Sequence, residues 1–506
     1  MTALVTDGLR WWAVNTPESP AIVFDGHDTV SYRELDGWTD GAAHALAARG
    51  IGRGDRVGMI GANSLEWCVA AIGALKLGAV VVPYNNRFVA AELSYLVDNS
   101  DPALVLADDQ HRARMAEALV GGSVPLGGLA EFTGLRGGEH RSVPRPDAAP
   151  DDVAVLVYTS GTTSRPKGVG FTHRGTAAFI TEWAFMEPAL RQGAGIIYVL
   201  SMSGAPGLLW HILHPLTRGM TIHYERGFEP RTTLSRLAGG TVAVMLGVPV
   251  LFEQMAALPE FADADLSALE LVSVAGARVP LPTIRAWLAK GVTLRQAYGM
   301  TELGGNSTIN PAGEALTRPE SVGRDGMFTR HRIVRPDGGE CDPEEPGEII
   351  VRGPAVTAGY WRNPEATAEA LRDGWFHSGD VGVRDRDGFI RVVDRMKDMI
   401  ISGGFNVAPS EIESVIGDLD GVDEVCVIPA DDAKFGETPA AIVATAGPIS
   451  AETVVAACAA RLAAFKVPRY VVFQREPLPR MASGKIARRE LRARYADLAA
   501  THERVR

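Results

Sequence analysis

Between Tyr32 and Val82 the apolar positions change period several times. They recur at helical spacing over 35–48, run without a break over 56–60, return to helical spacing over 65–77 and close into a short run over 79–82. Helical periods that alternate with short apolar runs predict helices layered on a sheet. The alternation continues with a strand at 103–107 and a helix at 112–119, and then breaks at 121–150, where Gly, Pro and charge predict a surface excursion or a link between subdomains. Further strands are expected at 153–158, 196–200, 241–246, 271–274 and 293–297, spaced by helix-length segments, so a layered, mostly parallel sheet is the expected scaffold. Around 347–352 and 388–393 the pattern shortens, and Asp373-Gly374 and Asp387-Gly388 predict hairpins or a small barrel-like β region. After Lys397 a compact α+β unit follows: helix 410–416, strands 424–428 and 441–446, helix 451–465, strand 470–473 and helix 486–498.

At 506 residues the chain is long enough for about three domains, or one large core with satellites. Asp and Glu outnumber Lys and Arg by 61 to 50, giving a net charge of -11 that repels phosphate backbones and argues against nucleic acid as a partner. The four cysteines, Cys68, Cys341, Cys426 and Cys458, form no C-x-x-C pair, which argues against a zinc site or a disulfide framework and fits a reducing cytoplasm. Residues 1–20 lack the basic and apolar segments of a secretory signal. The apolar stretch 67–83 is broken by Lys76 and is too short to span a membrane, so a soluble protein is expected.

Four segments carry chemistry. After an apolar strand, 158–168 reads Tyr-Thr-Ser-Gly-Thr-Thr-Ser-Arg-Pro-Lys-Gly. Gly161 permits close backbone approach, hydroxyls and N–H groups can donate to phosphate oxygens, and Lys167 adds a point charge. The spacing is not that of the P-loop. The segment 296–302, Gln-Ala-Tyr-Gly-Met-Thr-Glu, offers Glu302 as a hard oxygen ligand for Mg2+, Thr301 to a phosphate and the Tyr298 ring to a nucleobase. Asp380 in His-Ser-Gly-Asp and Arg395 in Asp-Arg-Met-Lys-Asp suit two ribose hydroxyls and a nearby phosphate, although turn charges of this kind are often merely solvated. Finally, 479–485 ends on Lys485 ahead of a basic helix carrying Arg488, Arg489, Arg492 and Arg494, expected to be a solvated face.

In this order and spacing the segments resemble the signature of the adenylate-forming superfamily, which includes acyl- and aryl-CoA synthetases, from about Tyr32 to Leu491. The resemblance implies an α/β fold: a large N-terminal domain, 1–395, of layered α/β subdomains with the barrel-like β region, and a small mobile α+β C-terminal domain, 396–506. It implies a cytoplasmic ligase that uses ATP, Mg2+ and coenzyme A to activate a carboxylic acid as an acyl-AMP and then make the acyl-CoA. Thr159, Ser160, Gly161, Thr162 and Thr163 would hold the outer phosphates with Lys167. Thr301 would meet the α-phosphate and Glu302 the metal. Gly276, Ala277 and Arg278 would line one side of the adenine, with Ala297, Tyr298 and Gly299 on the other, while Asp380 and Arg395 take the ribose. Lys397 matches the hinge, Lys485 the lysine inserted beside the α-phosphate, and Gly403 and Gly404 a path for the pantetheine arm.

Two positions depart from that pattern. Ser164 stands where relatives carry Gly. Ser203 and Gly204 stand where relatives place an aromatic or His gate beside the acid's carboxylate. The missing ring predicts room for a bulky, apolar, alicyclic or polycyclic acid, unless Trp210 or His211 fills the gap. The acid pocket is expected to involve Gly204, Ala205, Gly207, Trp210, Leu246, Gly247, Ala275, Gly299, Met300, Gly304 and Gly305, with the last two leaving space. Rival readings are loading of a separate carrier protein and a non-catalytic relative that binds acyl or nucleotide groups. The first is compatible with the absence of a fused carrier segment, and the second leans only on the altered gate. A hydrolase finds no support, because neither a G-x-S-x-G elbow nor an H-E-x-x-H pair occurs.

Overall fold

The structure, a computed structural model, describes residues 4–505 apart from 145, 160–165, 205, 278, 403–404, 433 and 482–484. Its chain forms two compact units, Met1–Val279 with Thr283–Arg330 and Val351–Phe376, and Pro280–Pro282 with His331–Ile350 and His377–Arg506. Together they form a mixed α/β architecture of several sheets.

In the first unit the expected single scaffold is two sheets. One runs in the order Gly305–Ile309, Leu294–Met300, Leu271–Val274, Val244–Gly247, Gly195–Tyr198, Thr221–Tyr224, Pro20–Phe24, Asp28–Ser31. Its six inner strands are parallel and its two edge strands antiparallel. The other runs Leu126–Gly128, Leu104–Ala107, Arg56–Ile60, Val80–Pro83, Val153–Tyr158, Gly168–Thr172, antiparallel only at its last pair. Periodicity identifies strands but not the sheet they join: Pro20–Phe24 pairs with Thr221–Tyr224, some two hundred residues later.

The helices start where local chemistry dictates. Ser31 caps Tyr32–Ala47 by accepting from the Glu34 N–H, and Ser64 caps Leu65–Lys76 by accepting from the Trp67 N–H. These two helices pack closely, since a side chain on Gly73 would strike Ala42. Lys76 is fully buried there, and its ammonium is satisfied by Asp36 at 2.6 Å and Asp40 at 2.8 Å. This answers the charge that interrupts an otherwise apolar stretch. Among the described residues no helix is long and apolar enough to cross a membrane.

Within the second unit, Glu424–Asp432 and Gly436–Ala444 form an antiparallel pair, and Tyr470–Gln474 lies parallel to the latter. Alternation along these strands sends Val427, Ala441 and Val443 to a face covered by Pro409–Gly417 and Ala451–Arg461. Cys426, Ile428, Ala440 and Ile442 face the other side, against Leu491 and Leu498. The helix expected at 486–498 is two short helices, Arg488–Arg494 and Leu498–Thr501, and the one expected at 451–465 ends at Arg461.

The basic helix is not simply solvated. Arg488 is held by Glu413 at 2.7 Å, and Arg492 donates to the carbonyls of Lys397 and Asp398 at 3.5 and 3.3 Å.

Candidate functional site

In the first unit, four neighbouring parallel strands end on predicted site residues. Leu294–Met300 carries Ala297, Tyr298, Gly299 and Met300 and leads into Thr301 and Glu302. Leu271–Val274 leads into Ala275, Gly276 and Ala277, Val244–Gly247 carries Leu246 and Gly247, and Gly195–Tyr198 leads towards Ser203, Gly204 and Gly207. These carboxyl ends lie side by side in one sheet, the edge at which open parallel sheets commonly bind ligands. Gly276 and Ala277 are exposed there, and Gly276 has φ +90°, a left-handed conformation that suits glycine. Gly299 is required for a different reason: a Cβ on it would lie 1.8 Å from the Gly305 carbonyl oxygen of the antiparallel neighbour.

The phosphate-loop candidate leaves the second sheet at Tyr158, whose antiparallel partner is Gly168. Its base is closed by the Thr159 N–H donating to the Lys167 carbonyl at 3.0 Å and the Lys167 N–H donating to Thr159 Oγ1 at 3.3 Å. Ser160, Gly161, Thr162, Thr163 and Ser164 lie outside the described residues, as do Ala205, Arg278, Gly403 and Gly404.

Tyr360 joins the loop lysine to the carboxylate and was missed in the sequence. Its hydroxyl donates to Glu302 Oε1 at 2.9 Å, and the Lys167 ammonium lies 4.7 Å from the centre of its ring. Burial, with Glu302 beside it, pushes the Tyr360 hydroxyl above the ordinary tyrosine range, so it remains a donor. The segment is fixed by a bridge from Tyr360 to Val169 and by the Trp361 N–H donating to the Gly168 carbonyl at 2.7 Å. A Gly-Tyr-Trp triplet has no chemical signature in sequence, and only this bridge gives it one.

Among the acid-pocket candidates, Trp210 takes up the space read beside the paired glycines. On the π-helix Pro206–Leu213, Trp210 is buried and packs edge-on against Phe179 and Trp183, with ring centres 4.9 and 4.6 Å away. Its indole lies 2.8 Å from where a Cβ on Gly305 would be, so the space expected beside that glycine is filled. Gly304 keeps ordinary contact distances to Phe179 and Phe171. His211 stacks on Tyr198, with ring centres 4.1 Å apart.

The second unit brings together residues far apart in sequence. Asp380 and Arg395 face each other on paired strands, with Arg395 Nε 2.9 Å from the Asp380 carboxylate. The Met481 N–H donates to the Lys485 carbonyl at 2.8 Å. Lys485 is exposed overall, yet the protein packed around it, then Arg395, hold its ammonium below the ordinary lysine range, while Asp380 acts in the opposite direction. Lys397, on the short 3-10 turn Met396–Asp398, is also lowered, first by burial and then by Arg395.

Comparison with known proteins agrees with this geometry. Residues 9–361 match the family model of the AMP-binding enzyme, and residues 411–485 match the AMP-binding enzyme C-terminal domain. The chain belongs to the AMP-binding enzyme family. Among curated members, a feruloyl-CoA synthase of an Amycolatopsis species is 36% identical, the match covering 96% of this chain and 99% of that protein. A long-chain-fatty-acid–CoA ligase of Mycobacterium tuberculosis is 35% identical, covering 96% and 98%. Among solved structures, ATP-bound MatB of Rhodopseudomonas palustris superposes with a TM-score of 0.90 at 30% identity, covering 98% of this chain and 100% of that one.

The residues of this AMP-binding enzyme fit a nucleotide with its metal. Mg2+ held partly by a substrate's phosphates needs one or two carboxylates and not a cage of protein ligands. Glu302 offers one carboxylate, which accepts from the Tyr360 hydroxyl at 2.9 Å.

Proposed function

We propose that this AMP-binding enzyme is an acid–thiol ligase that uses ATP to activate a carboxylic acid as an acyl-AMP, releases pyrophosphate, and passes the acyl group to coenzyme A. The observation that supports the reading is the pairing of Asp380 with Arg395 across adjacent strands, with Nε 2.9 Å from the carboxylate. Both charges also act on the ammonium of Lys485, a lysine from the last tenth of the chain.

The chemistry follows from what each group can do. A carboxylate does not acylate a thiol, because its oxygen is a poor leaving group; attack on the α-phosphorus replaces that oxygen with a phosphate ester. Negative charge grows around the α-phosphate as pyrophosphate departs, and the Lys485 ammonium and the Thr301 hydroxyl stabilise it. Mg2+, when bound at Glu302, neutralises phosphate charge. Lys167 releases the Tyr360 ring to hold the outer phosphates with Thr159, while Asp380 takes the ribose hydroxyls and Arg395 the ribose or phosphate. In the second step the small domain, 396–506, turns at Lys397, withdraws Lys485 and brings 402–409 to the acyl carbon, where Gly403 and Gly404 give the pantetheine arm passage.

A panel of carboxylic acids tested with ATP, magnesium and coenzyme A is the direct check. At least one acid should raise pyrophosphate and AMP release together with acyl-CoA, and a panel in which none does would overturn the reading. Running the same acid with a pantetheinylated carrier protein in place of coenzyme A identifies the acceptor.

The finer proposal concerns the acid. With Ser203 and Gly204 in the gate positions, the carboxylate end is free of a ring, which supports an apolar acid that is broad near its carboxyl group, as branched, alicyclic and polycyclic acids are. Trp210, whose ring fills the space beside Gly305, is the candidate for the far wall of that pocket. Replacing Trp210 with Ala should therefore raise kcat/KM for octanoate relative to butyrate by about tenfold or more, since each added methylene in an apolar pocket is worth roughly 1–3 kcal/mol. An unchanged chain-length profile in a folded Trp210→Ala protein would remove Trp210 from the pocket.

A further inference from the structure

The turn that carries Asp380 is held by a residue outside every motif read from the sequence. Glu348 lies on the strand Gly347–Arg352 with its side chain 16% exposed. One carboxylate oxygen, Oε2, is 2.7 Å from His377 Nδ1, and the other, Oε1, accepts from the Gly379 N–H at 3.0 Å. The next residue on the strand completes the grip, because Ser378 Oγ donates to the Ile349 carbonyl at 2.6 Å. Ser378 Oγ in turn accepts from the Asp380 N–H at 3.0 Å. Gly379 has φ +68°, so the chain reverses sharply just before Asp380.

Two adjacent residues of one strand thus fix three consecutive residues of the turn, and the fourth is Asp380, itself 4% exposed and paired with Arg395. A solvated turn would need no such arrangement. A carboxylate that must accept from two vicinal hydroxyls at once has to be held within a few tenths of an ångström, and that accuracy comes from the groups behind it. Glu348 suits the task because a carboxylate accepts on both oxygens, whereas an amide accepts on one.

We infer that Glu348 is a positioning residue for recognition of the nucleotide's ribose, acting through the turn His377-Ser378-Gly379 on Asp380. The inference rests on the proposed function, in which Asp380 takes the ribose hydroxyls.

The test is equilibrium binding of ATP and 2′-deoxy-ATP to the full-length protein, measured by calorimetry without any acid substrate, alongside a thermal melt. The wild-type protein should prefer ATP by about tenfold or more, the scale of a hydrogen bond to a charged group. Asp380→Asn should lose most of that preference. Glu348→Gln and Glu348→Ala should reduce it to about threefold or less while leaving the affinity for 2′-deoxy-ATP near the wild-type value. If Glu348→Ala melts early, Glu348→Gln, which keeps shape and volume, carries the decision.

Full preference retained in the Glu348 variants while Asp380→Asn loses it would overturn the positioning role and leave the ribose reading standing. An equal loss of affinity for both nucleotides would mean that Glu348 only supports the fold, and would also overturn it. Absence of preference in the wild type would sink the ribose assignment and this inference with it.

Discussion

Replacing Lys485 with Ala is expected to slow acid-dependent pyrophosphate exchange by about 100-fold or more, while transfer of the acyl group from supplied acyl-AMP to coenzyme A survives. The asymmetry follows from its role. Under the proposed function Lys485 serves the growing charge on the α-phosphate and has no task once the anhydride exists. Measuring the two half-reactions separately decides the matter, because equal loss of both would assign Lys485 to the fold and not to the first step. The reaction should also show an alkaline limb. The protonated amine is the active form, and its pKa is lowered by burial and then by Arg395. Exchange must therefore fall as pH rises through a value below that of a free lysine. Removing the Arg395 charge should move that limb to higher pH, the direction of relieved repulsion.

Replacing Lys397 with Pro should damage the second step more than the first. Proline fixes φ near -65° and steers the preceding residue, Met396, away from helical geometry, so the 3-10 turn Met396–Asp398 loses its choice of backbone states. If thioester formation depends on rotation there, a loss on the order of 100-fold in that step, with exchange reduced far less, is the expected scale of misplacing a reacting group. Rapid-quench partitioning of acyl-AMP between accumulation and acyl-CoA measures this directly. Unchanged partitioning would relocate the hinge.

The strand ends that carry the candidates were legible in the sequence, because residues suited to phosphates, metal and ribose are small, hydroxylic or charged and follow apolar strands. Tyr298, Thr301 and Glu302 could be read at a strand end, and the structure puts them next to the ends that carry Ala275 and Gly247. Residues whose role depends on tertiary pairing were not legible. Tyr360 matters only because it bridges to Val169, and Glu348 only because its strand lies under the turn at 377–379. Small residues misled in one place: two adjacent glycines read as empty space, yet Gly305 is small to admit the Trp210 ring. Charge misled in another. Arg488, Arg489, Arg492 and Arg494 read as a wet face, whereas Arg492 reaches the backbone of the turn at Lys397 and Asp398.

The aromatic ring under the Lys167 ammonium bears on how a nucleotide would be admitted. A lysine parked against a carboxylate would have to break a charged pair each time a triphosphate arrived. Resting on a neutral face worth about 0.5–1 kcal/mol where exposed, Lys167 gives up only a weak contact. Under the proposed function the outer phosphates of an arriving nucleotide therefore recruit it at little cost.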